Sequence, residues 1–211
     1  MDANAMTNLT LYHTAPSRSM VARWMLEEVG EPYDVSLVDI SSGENLQPAF
    51  LEINPMGKVP ALKHGDAVIA ENAAIACYLA DVFPGADLNV PIDSPLRGPY
   101  LKWLFFAPSC LEPLLMDKVT GREPVARLSA GWGEFDTTMD VVEAAVSGSP
   151  FLFGERFTAA DLVIGSTLDW GLNMLNAIHD RPVLADYCAR LLERPAKQRQ
   201  LALDGALMAG G

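Results

Sequence analysis

Three short stretches in the first third of the chain carry residue types that could do chemistry together. Tyr12-His13-Thr14-Ala15-Pro16-Ser17-Arg18-Ser19 brings four hydroxyls, those of Tyr12, Thr14, Ser17 and Ser19, to the join between a β-type run and a helical pattern. A helix that begins there offers unsatisfied amides and a positive dipole end, which favour an anion. A hydroxyl that donates to a thiolate stabilises the charged form and lowers the thiol pKa, each unit being worth about 1.4 kcal/mol. The stretch has no cysteine, so dithiol exchange through a thiol of its own is excluded there. Lys58-Val59-Pro60 opens a second β-type run, where a cis bond before Pro60 would turn the Val59 amide and carbonyl toward a ligand. Glu71-Asn72 opens a helix. A carboxylate there suits an ammonium, and the Asn72 amide with the helix-start amides suits a neighbouring carboxylate. A site holding both would recognise the α-amino-acid end of a ligand. Taken alone, the Glu71-Asn72 pair reads as a plain helix cap.

These stretches need elements to position them, and the hydrophobic pattern supplies them. Residues 8–13 form a short β-type run, and Ala22, Met25, Leu26 and Val29 make a helical stripe that Gly30 should stop. Residues 33–38 alternate with period two, which completes a βαβ unit with a parallel pair. Residues 58–62 and 67–70 flank His64-Gly65-Asp66 as a hairpin, and Ile75, Leu79 and Val82 mark a further helix. This order, βαβ then ββα, is the layout of a thioredoxin-like domain, expected over residues 1–84. The proline-rich residues 85–95 read as a linker. Strand signals then fade. Four helical stripes follow: Leu96 to Ala107, Leu128 to Val146, Ile164 to Leu175 and Leu184 to Leu191, describing an all-α domain over residues 96–211. Pro108 and Pro113 should end or kink the first of these, and Gly131 and Gly133 weaken the second. Thr158-Ala159-Ala160-Asp161 has the spacing of a capping box, a feature of the fold and not of catalysis.

The 211 residues, half hydrophobic and a fifth charged, fit an ordinary globular chain and exclude disorder and a disulfide-stapled scaffold. No apolar run is long enough to span a membrane, and residues 1–7 lack the pattern of a signal peptide. A net charge of −12 repels phosphate backbones, so nucleic acid is not expected as a partner. Cys77, Cys110 and Cys188 stand far apart, as do His13, His64 and His179. They read as buried small groups in a reducing cytoplasm, with no metal site.

Together Asn54-Pro55-Met56-Gly57-Lys58-Val59-Pro60-Ala61-Leu62, the stretch from Ala70 to Asp81, and Phe157-Thr158-Ala159-Ala160-Asp161 resemble the cytosolic glutathione transferase family over nearly the whole chain. The resemblance implies a detoxifying transferase that uses glutathione as co-substrate and activates its thiol for attack on a hydrophobic electrophile. It implies that Val59 bonds the cysteinyl backbone with Pro60 cis, Lys58 reaches the glycyl carboxylate, and Glu71 with the next residue holds the γ-glutamyl end. The family usually has Ser after that Glu; Asn72 stands here and can also donate to a carboxylate. Ser17-Arg18 resembles the Ser-Arg pair of a bacterial and fungal branch, which makes Ser17 the first candidate for thiol activation. Tyr12 is the second, because an ungapped alignment places it at the hydroxyl of the tyrosine-type classes; Ser19, Thr14 and Arg18 follow. Tyr100, Trp103, Leu104 and Phe106 are the candidates for the hydrophobic-substrate side, in a pocket expected between the domains. A homodimer is implied, with Met56, Phe50 and Trp132 as apolar residues available for its interface. Other glutathione-dependent chemistry (peroxide reduction, isomerisation, dehalogenation) or a non-catalytic glutathione-binding module are the alternative readings.

Overall fold

In the computed structural model, which describes residues 8–210 apart from 124 and 127, the alternation read at the start of the chain is a strand. Residues 1–7, where a signal peptide was judged absent, lie outside the described residues. Strand β1 (Leu9–His13) buries Leu9, Leu11 and His13 on one face and leaves Thr10 and Tyr12 half-buried on the other. Helix α1 (Ser19–Val29) follows, burying Ala22, Trp24, Met25 and Leu26. Gly30 ends it at φ +77°, with its amide on the Leu26 carbonyl, a left-handed conformation that glycine adopts without the Cβ penalty. Strand β2 (Asp34–Leu37) returns parallel to β1. After the short helix α2 (Pro48–Leu51), strands β3 (Ala61–His64) and β4 (Ala67–Ala70) form the expected hairpin around Gly65. The third strand begins three residues later than the pattern suggests, after Pro60, which has no N–H to give a ladder. The sheet order is β2-β1-β3-β4, and α3 (Asn72–Val82) packs on α1.

The helical part holds α4 (Arg97–Phe106), α5 (Glu112–Thr120), α6 (Phe135–Val146), α7 (Ala159–Asp169) and α8 (Pro182–Leu192). Pro108 sits in the wide helical turn Ala107–Leu111 that separates α4 from α5, and Pro113 lies in the first turn of α5. The long stripe from Leu128 is shorter than read. Gly133 at φ +82° breaks it, α6 starts at Phe135, and Leu128 is fully exposed. Gly165 on α7 has no room for a side chain, because a Cβ there would lie 2.0 Å from Leu191 on α8. The capping box forms, with the Thr158 amide on the Asp161 carboxylate at 2.9 Å and the Asp161 amide on the Thr158 side chain. Asp161 also accepts from the Leu152 amide at 2.7 Å and the Tyr187 hydroxyl at 2.9 Å, so a fully buried carboxylate pins three segments.

Two compact units divide the described residues, one within Met1–Asp87 and Pro195–Gly211, the other Leu88–Arg194. This corrects the expected boundaries at both ends. Leu88 and Val90, read as linker, are buried, and the Leu88 carbonyl takes the Ala159 amide at 2.9 Å. The last helix, α9 (Pro195–Gly210), belongs with the first unit, where it lies along α1 and places Lys197 over the Trp24 ring at 4.8 Å. Phe50, offered for an interface, is buried within the chain, while Met56 is 72% exposed. No helix among the described residues is long and apolar enough to cross a membrane.

Candidate functional site

Strand register brings the three chemical stretches to one edge of the first unit. Tyr12 pairs with Ala61, and Ala61 pairs with Ala70, so these residues form a row across β1, β3 and β4. The hydroxyl-rich turn leaves β1 just beyond that row, Val59-Pro60 enters β3 just before it, and Glu71-Asn72 leaves β4 just after it. The Asn72 side-chain amide donates to the Arg18 carbonyl at 3.0 Å, which ties the third stretch to the first.

Each stretch is held by local bonds. In the turn, Ser17 Oγ lies 2.7 Å from the Thr14 carbonyl and 2.7 Å from Ser19 Oγ, and it accepts the Ser19 amide at 3.0 Å. Ser17 is half-buried and Ser19 is fully buried. Tyr12 sets its ring edge-on to Phe50, with centroids 5.9 Å apart. The second stretch is braced by two buried amides that sequence reasoning did not single out. Asn54 donates to the Lys58 carbonyl at 2.7 Å and Asn45 donates to the Gly57 carbonyl at 2.8 Å. Gly57 is required here, at φ +61° and with a Cβ position 3.0 Å from the Asn45 carbonyl. The Val59–Pro60 bond is cis, as is Ala15–Pro16, which the sequence did not suggest. Lys58 is exposed, Val59 half-buried and Pro60 buried.

Glu71 is exposed and stands at φ +69°, ψ 123°, a conformation that costs an ordinary side chain on the order of 1–3 kcal/mol. The Asn72 side-chain oxygen is buried and accepts no hydrogen bond among the described residues. Strain and an unsatisfied acceptor at one helix start are features of a place shaped for something other than stability.

On the helical unit, the four aromatic and apolar candidates separate. Tyr100 and Leu104 have no exposed surface and Trp103 has 7%, which corrects the expectation that all four could line a ligand pocket. Helix α4 packs on α7, and the positions repeating every three to four residues are its core face. Phe106 is half-buried, edge-on to Trp103 at 5.2 Å. Among the described residues no group of three or more His, Cys, Asp or Glu could hold a metal ion.

Comparison with known proteins identifies the family. Residues 7–81 match the family model of the glutathione S-transferase N-terminal domain, and residues 125–190 match that of the C-terminal domain. Human glutathione S-transferase theta-1 is 36% identical over 143 residues, covering 63% of this chain and 60% of the human protein's length. Glutathione S-transferase GstA of Escherichia coli O157:H7 is 27% identical over 93% of this chain and 99% of its own. The crystal structure of a glutathione transferase homologue from Sulfitobacter, with bound glutathione, superposes with a TM-score of 0.75 at 25% identity, covering 96% of this chain and all of that one. The chain belongs to the glutathione S-transferase family. The sheet and its helices within residues 7–81 are the thioredoxin-like part of that fold, and the second unit is its helical part.

Proposed function

We propose that the protein binds glutathione along the row Tyr12–Ala61–Ala70 and activates its thiol for attack on a hydrophobic electrophile. The observation that carries this reading is the convergence of three stretches on that row: an anion-favouring turn, the bend at Val59 that leads into β3, and a strained carboxylate at a helix start. Glutathione has a charged γ-glutamyl end, an extended peptide middle and a thiol. Glu71 takes the ammonium, the α3 start amides with the second N–H of the Asn72 side-chain amide take the adjacent carboxylate, Val59 pairs with the cysteinyl backbone, and Lys58 meets the glycyl carboxylate. This leaves the sulfur beside Ser17, whose hydroxyl and helix-start position both favour the thiolate. Rate is gained from the thiolate itself and from holding it against the second reactant. Of the four candidates on α4, Phe106 keeps side-chain surface while Tyr100, Trp103 and Leu104 are buried. We further assign the protein to a reducing cytoplasm, where its three cysteines stay free, and to a homodimer that covers Met56. Sedimentation should then give twice the chain mass.

Calorimetry with glutathione, followed by turnover of a chloro-nitro-aromatic substrate, tests the reading. The wild type should bind and turn over, and Glu71→Ala should bind at least about five-fold more weakly, because a charge-assisted bond is lost. Unchanged affinity in that variant would overturn the placement of the γ-glutamyl end.

A further inference from the structure

Behind the hydroxyl turn runs a line of hydrogen bonds that ends 191 residues away in sequence. His13 is fully buried, with Nε2 2.9 Å from Asp204 Oδ1 on α9 and Nδ1 2.7 Å from Ser19 Oγ. Ser19 Oγ is in turn 2.7 Å from Ser17 Oγ, the half-buried hydroxyl assigned to the thiol. Asp204 is wholly enclosed. Burial favours its neutral form, but bonds from His13, Gln200 and Arg23 outweigh that and hold its carboxyl below the ordinary value. The carboxylate accepts only, so His13 carries a proton on Nε2, and in the neutral ring Nδ1 is then an acceptor. Ser19 then donates to Nδ1, and its oxygen receives the Ser17 proton or the Thr14 amide, 3.2 Å away. Both serine hydroxyls also reach the Thr14 carbonyl, Ser17 at 2.7 Å and Ser19 at 2.9 Å; when the Ser17 proton turns from it to Ser19 Oγ, every proton in the line points inward, and Ser17 keeps a lone pair for an incoming S–H.

We propose that Ser17, Ser19 and His13, backed by Asp204, form a proton relay that takes the thiol proton of bound glutathione into the protein; this rests on Ser17 being the hydroxyl that meets the sulfur. The S–H bond breaks and its proton passes to Ser17 Oγ. The Ser17 proton passes to Ser19 Oγ, and the Ser19 proton to His13 Nδ1. Three protons each move by one bond, both serines end as hydroxyls, and one thiolate and one imidazolium are formed.

The charges facing His13 make this step depend on the ligand. Asp204 faces it from α9, and Arg23 on α1 bonds the same carboxylate oxygen at 2.6 Å. Lys197 on α9 donates to the Gln200 side-chain carbonyl, and the Gln200 side-chain amide donates to Asp204. One carboxylate already shared with Arg23 does not fully balance an imidazolium as well. In the relay the thiolate supplies the balancing negative charge, which couples the proton on His13 to the sulfur. A cluster that merely fastened α9 to the sheet would need neither the open end at Ser17 nor the alternation of donor and acceptor. His13, Ser19 and Asp204 are positioning residues in this scheme, acting on the sulfur through Ser17.

The relay keeps the thiol proton in the protein, whereas simple ionisation of the thiol gives it to solvent. The experiment mixes wild-type protein with glutathione at neutral pH, follows ultraviolet thiolate absorbance, and counts protons released with a pH indicator; S-methylglutathione is the control without a thiol. The relay requires thiolate to appear with close to no proton released per site, and His13 nitrogen resonances to move from one protonated nitrogen to two. Ser19→Ala should raise the bound thiol pKa by about one unit or more and release one proton per thiolate formed, while Ser19→Thr restores the wild-type behaviour. His13→Gln, which can hydrogen-bond but not carry the proton, should resemble Ser19→Ala. One proton released per thiolate in the wild type, or binding without thiolate, would overturn the relay and leave the glutathione site standing. Absence of glutathione binding would overturn both.

Discussion

Ser17 has a single hydroxyl proton and two inward acceptors for it, the Thr14 carbonyl and Ser19 Oγ, each 2.7 Å away. Tyr12 has the more acidic hydroxyl by type, yet its ring is committed to an edge-on contact with Phe50. Position outweighs acidity, because a donor must come within about 3 Å of the sulfur to act on it. Ser17→Ala should therefore raise the pKa of bound glutathione by about one unit or more and lower turnover at neutral pH at least about ten-fold, with Tyr12→Phe close to wild type. Thiolate absorbance against pH on both variants checks this, and a rise in Tyr12→Phe alone would transfer the role. Glu71 permits a second measurement on a single residue. At φ +69° glycine is relieved of the side-chain strain but has more freedom to lose on folding, about 0.4–1 kcal/mol. Set against 1–3 kcal/mol of strain, Glu71→Gly should be more stable than Glu71→Ala by about 1 kcal/mol, while both bind glutathione weakly. Urea midpoints that are equal for the two variants would show that the backbone there is unstrained.

At the scale of elements, what the sequence revealed followed from how each helix or strand is buried. The first strand, α1 and the β3–β4 hairpin each carry an apolar face of the right period, closed by Gly30 and Gly65, and all were legible. Helix α9 was placed in the wrong unit because its inward residues include Lys197, Gln200 and Asp204, so no apolar stripe marks its packing face. For the same reason His13 read as an isolated histidine, since nothing along the chain links it to a carboxylate in the last helix. The reverse error befell Leu128, where an apolar residue in helical register met Gly133 before a helix could form. The capping box at α7 was legible as a local motif, but its other partners, Leu152 and Tyr187, were not. Asp161→Ala leaves buried donors on Thr158, Leu152 and Tyr187 unsatisfied at once, at about 1–3 kcal/mol each before relaxation. A loss of about 3–5 kcal/mol is expected in denaturant unfolding of the helical unit, and a loss below about 1 kcal/mol would mean that water replaces the carboxylate.

Across the whole molecule, each unit holds a buried or half-buried group whose ionisation opposes folding, and both act in alkaline solution. In the helical unit, burial pushes the Cys188 thiol up from 9.0 to about 12. In the first unit, burial and the bond to Glu27 push the Tyr33 hydroxyl up from 10.0 to about 12. Both groups stay neutral in the folded chain at a pH where the unfolded chain has begun to release their protons. The unfolded state then binds fewer protons than the folded one, so stability falls as pH rises. The contribution of Cys188 is complete below about pH 9 and is lost between about 9 and 12; that of Tyr33 is lost between about 10 and 12. Within the Cys188 window one extra proton corresponds to a slope approaching about 1.4 kcal/mol per pH unit. Cys188→Ala removes that titration. The variant gives up some packing at neutral pH, yet its unfolding free energy should fall less steeply than that of the wild type above pH 9, and the two curves should converge. Tyr33→Phe should flatten only the upper part of the decline. Urea unfolding measured at intervals from pH 7 to pH 11 distinguishes these outcomes, and parallel curves for the wild type and Cys188→Ala would show that the thiol ionises in the folded chain as readily as in the unfolded one.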